Sequence, residues 1–475
     1  MNIVQKLVKN TAALLIMQIT TMVLSLIFSI YLAKYLGVNY FGKYSFALSF
    51  TTLLAIIVDI GFNQITVREI SRDKTKLKKI IENTIPIKIL LSLIYFISIF
   101  VLINLMDYPY DTKVIVYILA VYTILNSFAT LFKSVFNAYE MMEYTSLISI
   151  FEKVITVFFG ILFLIHGFGL TEIVLLYPFV TSIGIGICLI TLSKKFTNFK
   201  IEMDLSFWKY LIMCSIPFGI FSIFITINYR IDTIMLSILK DDSAVGWYNA
   251  AYNLVMALQF IPTSFVSSLF PLISRFNIDQ KTSLMLTLEK SLKVLMIIAF
   301  PLAIGTIILA DRIILQTYGQ GFENSIFPLQ ILVLSVIPIF IHNVLGSIII
   351  AIDKEKNAIP MWVLCAIINI TLNYILIPDY GIIAACMTTL ISEVIICLQF
   401  YHFVTKNFYK ISLKKLIYKP LIGGLLMGVF LLVFKNTNFI VLVFAGMLVY
   451  FIAIYKIRVL SEEDLKLLKK LTVKV

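Results

Sequence analysis

Long uninterrupted apolar runs constrain this chain more than any motif in it. A helix needs about 20 apolar residues to cross the hydrocarbon of a bilayer. Runs of that kind are read at 11–33, 44–63, 81–105, 114–138, 144–165, 170–192, 210–238, 247–271, 290–311, 325–351, 358–377, 382–404, 420–435 and 438–456. In lipid every backbone N–H and C=O must be bonded internally, which leaves helices and closed barrels. Barrel strands are segments of about ten residues with alternating hydrophobicity, and these runs are long and continuous. The sequence predicts an all-α integral membrane protein with about 14 transmembrane helices. Composition agrees: only 14% of the 475 residues are charged and the mean hydropathy is +0.98, whereas about a quarter of a soluble domain is charged.

The chain also repeats itself. Gly42-Lys43-Tyr44-Ser45-Phe46-Ala47 returns as Gly246-Trp247-Tyr248-Asn249-Ala250-Ala251. Leu164-Ile165-His166-Gly167-Phe168-Gly169-Leu170 returns as Leu376-Ile377-Pro378-Asp379-Tyr380-Gly381-Ile382, and Ala138-Tyr139-Glu140-Met141-Met142-Glu143 as Ala351-Ile352-Asp353-Lys354-Glu355-Lys356. The displacements are 204, 212 and 213 residues, each echo lying at the end of an apolar run. Three matches in register indicate duplication, which is common among membrane transporters. The expected organisation is two six-helix lobes, 1–200 and 201–405, followed by 406–475, with two more helices and a basic tail. Gly42 and Gly246 are expected to supply backbone freedom for tight turns between helices.

Charge sets the expected orientation. Alternate loops are basic, carrying Lys6 and Lys9, then Arg68 to Lys79, then Lys194, Lys195 and Lys200, then Arg275 and Lys281. Lys354 and Lys356 follow, then Lys406, Lys410, Lys414, Lys415 and Lys419, and a tail from Lys456 to Lys474. The other loops hold few cations, so the basic set is expected on the cytoplasmic side with both termini. The net charge of +13 then reflects topology and calls for no nucleic-acid partner. Residues 1–10 lead into an apolar run that ends without a small-residue cleavage site, as in a first membrane helix and not a removable signal.

Several enzymatic readings are disfavoured. No loop exceeds about twenty residues, there is no GxxxxGK[ST] phosphate loop, and no catalytic residue or metal site is predicted. The cysteines lie inside apolar runs as small hydrophobes, and His166, His342 and His402 lack metal-ligand spacing.

Ionisable and amide side chains within spans are the functional candidates, because they are costly in hydrocarbon. Glu393 sits near the middle of the run at 382–404, either as a cavity carboxylate for a cation, proton or substrate, or as a helix-packing group. Asn369 and Asn373 share a helix face one turn apart and could cluster with Glu393, or serve as interhelical glue. Gln18 and His342 add polar positions of the same two kinds. Arg230 and Asp232 lie in the run at 210–238 and Lys88 near the start of that at 81–105; the two cations are either phosphate contacts or paired side chains. Arg68, Arg72, Lys76 and Lys79, at spacings of four, four and three, predict one basic stripe on a cytoplasmic helix. Such a stripe can gather anionic headgroups or a pyrophosphate, or be solvated surface.

With these residues laid out, the chain resembles the Wzx-like O-antigen and repeat-unit flippases, the polysaccharide branch of the multidrug/oligosaccharidyl-lipid/polysaccharide (MOP) exporter superfamily. The resemblance is carried by Leu36-Gly37-Val38-Asn39-Tyr40-Phe41-Gly42-Lys43-Tyr44, by Asp59-Ile60-Gly61-Phe62 followed by Val67-Arg68-Glu69-Ile70, and by Ile216-Pro217-Phe218-Gly219. Asp232-Thr233-Ile234-Met235-Leu236, Val245-Gly246-Trp247-Tyr248 and Asn369 with Asn373 before Pro378-Asp379-Tyr380-Gly381 continue it along nearly the whole chain. It implies a V-shaped pair of lobes with alternating access, moving a polyprenyl-(pyro)phosphate-linked oligosaccharide from the inner to the outer leaflet of the cell membrane. Its implied partners are that glycolipid, membrane lipids and polysaccharide assembly proteins. No cofactor is implied, and a coupling ion, H+ or Na+, is left open. The alternative is a cation-coupled multidrug exporter of the same superfamily, with Glu393 as coupling carboxylate. Few cations are read deep in the spans, so glycan recognition is expected to rest on Asn, Gln, Tyr and Thr.

Overall fold

The computed structural model describes residues 3–196, 202–273, 281–351, 354–408 and 411–459. Lys200, Arg275, Lys410, the 352–353 part of the third echo and the tail from 460 lie outside the described residues.

All regular structure among the described residues is helical. The order is α1 (Ile3–Leu54), α2 (Phe62–Arg72), α3 (Leu77–Leu105), α4 (Tyr110–Ala138), α5 (Met142–Ile165), α6 (Leu170–Lys195) and α7 (Leu205–Leu239). It continues with α8 (Asp242–Leu258), α9 (Phe260–Ile273), α10 (Lys281–Thr317), α11 (Ile326–Leu332), α12 (Val336–Ala351), α13 (Ala358–Asn407), α14 (Leu413–Val433) and α15 (Phe439–Lys456). Eleven described helices are long and apolar enough to cross a membrane. Two of them are too long for one crossing: α1 has 52 residues and α13 has 50, or about 75 Å at 1.5 Å per residue.

Each long helix is broken by a glycine outside helical geometry, Gly37 at φ 77° and Gly381 at φ 54°. A side chain is disfavoured at such a positive φ. The bend near the first echo is therefore at Gly37 and not at Gly42, which is helical. The expected eighth span is divided between α8 and α9 at Gln259, three residues before Pro262. Proline cannot donate to the helix ladder and crowds the carbonyl four residues back, which ends α8 there. The structure thus gives eleven membrane-length helices among the described residues where the sequence led to an expectation of about fourteen, and two of the eleven are bent at glycines.

By packing, the chain forms two compact units, residues 1–253 with 362–385, and residues 254–361 with 386–475. This division by contact does not follow the order of the expected repeat at 1–200 and 201–405. In the first unit α1 lies along α5, and α4 against α6 and α2. In the second, α10 packs on α12 and α14, and α14 on α15.

The first unit brings the two copies of the opening echo face to face. A methyl group at Gly42 would overlap the backbone carbonyl of Asp242, and one at Gly246 would overlap that of Val38. Close approach of backbones is thus the reason for both glycines, in place of the expected freedom at a turn. Neither obstacle is a flexible side chain, so neither can move aside. Overpacking of this kind costs about 1–3 kcal/mol. Gly42→Ala should accordingly raise amide hydrogen exchange across 242–248 by about five- to a hundredfold, and unchanged exchange would contradict the contact.

Candidate functional site

Arg230 marks the site. It is half-buried in α7, and no ion-pair partner for it is present among the described residues. The surrounding stretch of α7, residues 221–231, is half-buried throughout, as expected of a helix lining an internal space. Arg230 lies within electrostatic reach of the Tyr44 hydroxyl. Tyr44 in turn hydrogen-bonds Tyr177 of α6, hydroxyl to hydroxyl at 2.6 Å. Tyr122 of α4 meets the Tyr177 ring edge-on, with centroids 5.2 Å apart. Beyond Tyr122, and in electrostatic contact with it, stands the Glu152 carboxylate, which accepts from Lys133 Nζ at 2.6 Å.

This is a polar track through an apolar unit: a guanidinium with no ion-pair partner among the described residues, three tyrosines and an ion pair. The track exists because helices cross there. Lys133 is on α4 and Glu152 on α5, and Gly184 of α6 leaves room for the carboxylate, since a Cβ at that position would overlap it. Lys153, next along α5, is half-buried with no ion pair among the described residues. Two cations that the sequence reading did not single out, Lys133 and Lys153, lie inside spans. The signal was visible as a Glu-Lys pair near the centre of the run at 144–165.

A second network surrounds Asp232, 2% exposed on α7. Asn373 Nδ2 donates to its Oδ1 at 2.5 Å, and the Tyr248 hydroxyl to its Oδ2 at 3.2 Å. Asn373 Nδ2 also donates to Asn369 Oδ1 at 2.9 Å, so the two asparagines share a face. Thr233 and Asn249 exchange a 3.2 Å bond beside them. Asp232 joins the asparagines here, while Glu393 belongs to the second unit, where its Oε2 lies 2.9 Å from His342 Nε2. Gln18 is exposed on α1.

The basic stripe does not form on one helix. Asp73 interrupts it: its Oδ1 accepts from Thr75 N at 3.0 Å and from the Thr75 hydroxyl at 2.6 Å. This local turn ends α2 before Lys76 and Lys79. Arg68 pairs with Glu69 at 3.1 Å, Lys76 lies 3.9 Å from the same carboxylate, and Lys79 pairs with Asp204 at 3.2 Å; Arg72 is exposed. Lys88 is fully buried, donating to the Ser127 carbonyl at 3.1 Å and standing 3.5 Å from Asp59 Oδ1, so it is closed to a headgroup in this structure.

Asp204 caps α7, and the N–H of Phe207 together with Lys79 holds its carboxyl below the usual carboxylate range. A depressed carboxyl stabilises the folded chain above its unfolded value, about pH 4, and that contribution is lost as pH falls through the folded value. Asp204→Asn, which retains a capping oxygen, should lower the unfolding midpoint less than Asp204→Ala at pH 7. The deficit of the Asn variant should shrink as the pH is taken below about 4.

Membrane-length helices with polar groups buried along them, among the described residues, are the build of a membrane transporter. The fold of this chain matches that of solved MOP transporters. The lipid II flippase MurJ in an inward-closed conformation superposes with a TM-score of 0.80 at 18% identity, covering 92% of this chain and 97% of that one. An inward-facing multidrug resistance MATE transporter of the MOP superfamily gives 0.63 at 14% identity, covering 83% and 98%.

The sequence profile of the polysaccharide biosynthesis protein family matches residues 7–277, and the chain belongs to that family. The MatE profile matches residues 217–375. Among curated proteins, the chain is 23% identical to the probable low-salt glycan biosynthesis flippase Agl15 of Haloferax volcanii over 432 residues, 88% of this chain and 89% of that protein. It is 22% identical to a putative O-antigen transporter of Escherichia coli over 175 residues, 37% of this chain and 42% of that protein.

Proposed function

We propose that this protein is a flippase that carries a polyprenyl-(pyro)phosphate-linked oligosaccharide from the inner to the outer leaflet of the cell membrane for glycan assembly. The observation that carries the reading is the half-buried Arg230, which has no ion-pair partner among the described residues and lies within electrostatic reach of Tyr44, itself bonded to Tyr177, within a chain of the polysaccharide biosynthesis family. Sugar hydroxyls and a phosphate cannot cross hydrocarbon unaided, because each loses its hydrogen bonds to water. A guanidinium in a weakly screened site attracts the phosphate and can bind it in a bidentate manner. Tyrosine rings and hydroxyls suit the two faces of a sugar. The polyprenyl tail needs no such path and stays in lipid.

In this reading the basic loops and both termini face the cytoplasm, and the halves 1–200 and 201–405 move against each other, with 406–475 appended. The Gly42–Gly246 contact then closes the outer side. Gly61 and Gly219 close the cytoplasmic side, where a methyl at Gly61 would stand 2.8 Å from the Ser215 carbonyl and one at Gly219 3.0 Å from that of Ile60. Transport requires each contact to part in turn.

Deletion in the native organism tests the proposal. Lipid-linked oligosaccharide should accumulate on the cytoplasmic leaflet while surface glycan falls; intact surface glycan without accumulation would refute it. The MatE match favours a second reading, cation-coupled export of small molecules, in which Glu393 is the coupling carboxylate. That reading expects ion-dependent dye export that is abolished by Glu393→Gln.

A further inference from the structure

We propose that Lys153 of α5 and the α1 residues Gln18, Thr21 and Ser25 form a subsite for an acidic sugar, one that carries a carboxylate beside its hydroxyls. The proposal rests on the flippase reading above and adds what the oligosaccharide contains. The polar helix face on which it is built does not depend on that reading.

The stretch of α1 before Gly37 is exposed on two opposite sides. Ile16, Ile19, Val23 and Ile27, spaced three, four and four apart, are exposed along one side, an apolar stripe suited to lipid. Gln18, Thr21, Ser25 and Ser29 repeat those spacings two residues out of step, about 200° round the helix, with Met22 among them. Gln18 and Ser25 are exposed, and Thr21 and Ser29 are half-buried. An amide and hydroxyls lose hydrogen bonds in hydrocarbon, so this second face borders water or cargo. Two of its hydroxyls already spend their protons on the helix: Thr21 donates to the Met17 carbonyl and Ser25 to that of Thr21, both at 2.7 Å. Their oxygens are left to accept, which suits the hydroxyls of a sugar and repels a carboxylate.

The carboxylate has its partner on α5. That helix runs beside α1 in the same direction: Lys9 pairs with Glu143 near the two starts, and the Phe28 ring fills the space beside Gly160 further along. Lys153 precedes Gly160 by seven residues, and Thr21 precedes Phe28 by seven. Seven residues are about two turns, so Lys153 and Thr21 are level, on the sides of α5 and α1 that face each other. Lys153 is half-buried and makes no ion pair or hydrogen bond among the described residues. Its neighbour Glu152 is turned to Lys133 of α4 at 2.6 Å. An amine without a partner in mid-span is costly, and a carboxylate brought by the cargo favours its charged form and bonds it strongly. The Tyr177 end of the track that leads to Arg230 lies at the level of Phe28, whose ring it meets edge-on at 6.4 Å. Lys153 is two turns away along α5, about 10 Å. That separation suits a sugar set next to the diphosphate better than two phosphates that share one oxygen.

Two measurements test the subsite. In the first, single cysteines are placed in the full chain with its own cysteines replaced by alanine, held in lipid nanodiscs and exposed to a charged thiol reagent. Gln18→Cys and Ser25→Cys should react at least about tenfold faster than Ile19→Cys and Val23→Cys, because a thiol in lipid neither ionises nor meets the reagent. Equal rates overturn the polar face and the subsite with it. In the second, proteoliposomes carry two fluorescent polyprenyl-diphosphate-linked oligosaccharides, one containing a hexuronic acid and the other the neutral hexose in its place. Lys153→Met should lower the ratio of uronate to neutral transport by about ten- to hundredfold, the loss of one hydrogen bond to a charged group. Lys153→Arg should keep most of that ratio. A ratio unchanged in Lys153→Met, whether both rates hold or both fall together, overturns the subsite. If the wild type moves neither glycolipid, the flippase reading fails. Protection of Ser25→Cys from the reagent by free glucuronate, but not by glucose, then decides the subsite alone.

Discussion

Arg230→Ala should cut glycolipid transport by about tenfold to a hundredfold while leaving the protein folded and abundant. A hydrogen bond to a charged group contributes about 1.5–3 kcal/mol, and each 1.4 kcal/mol is a factor of ten. Arg230 has no ion-pair partner among the described residues to leave stranded, so its removal should cost little stability. That separates it from the buried ion pairs, where truncation harms the fold first. Arg230→Lys should restore part of the rate, since an ammonium keeps the charge but loses the two-pronged geometry suited to phosphate. Initial transport rates at matched protein levels check this. Equal rates for wild type and Arg230→Ala would remove the guanidinium from the path.

Asp59→Ala should destabilise the protein by about 3 kcal/mol, the lower end of the range for breaking a buried ion pair. The lower end applies because the Asp59 side chain is 23% exposed and water screens part of the interaction. What remains is the Lys88 ammonium, 0% exposed, with the Ser127 carbonyl as its partner. Asp59 also accepts from the Phe62 N–H at 3.0 Å and from the Asn63 amide, so the turn into α2 loses its anchor as well. Lys88→Met replaces the ammonium with an apolar chain of similar length. The double variant should therefore recover most of the loss, and the pair should couple strongly in a double-mutant cycle. Thermal unfolding in detergent reads this, and a double variant no more stable than Asp59→Ala would show that the pair is not what holds the turn.

The helices were legible in the sequence because lipid permits few alternatives to a long apolar run. Their boundaries were less so. Hydropathy placed a gap around Gly42, but the chain bends at Gly37, since left-handed backbone leaves no trace in a hydropathy pattern. Residues 68–79 read as one helix by spacing, yet the side chain of Asp73 bonds the backbone of Thr75, and that local bond competes with the helix.

Among site residues, Asn369 and Asn373 were readable as a shared face, because a spacing of four is a helical property. Their partner Asp232 was not, since it lies 141 residues from Asn373 along the chain and meets it only through packing. Lys133 and Glu152 were missed for the same reason, 19 residues apart on two helices. Tyr44, Tyr122 and Tyr177 resemble the many tyrosines that sit at membrane interfaces, and only their contacts with one another, with Arg230 in electrostatic reach of Tyr44, distinguish them.

The central claim, that this chain moves a lipid-linked oligosaccharide between leaflets, is tested most directly with purified protein in proteoliposomes. A fluorescent polyprenyl-diphosphate-linked oligosaccharide is placed in both leaflets, and an impermeant glycosidase is added outside. With active protein, nearly all of the substrate should become cleavable, at a rate that falls in Arg230→Ala. If only the outer-leaflet half is ever cleaved, as in protein-free vesicles, the account is contradicted.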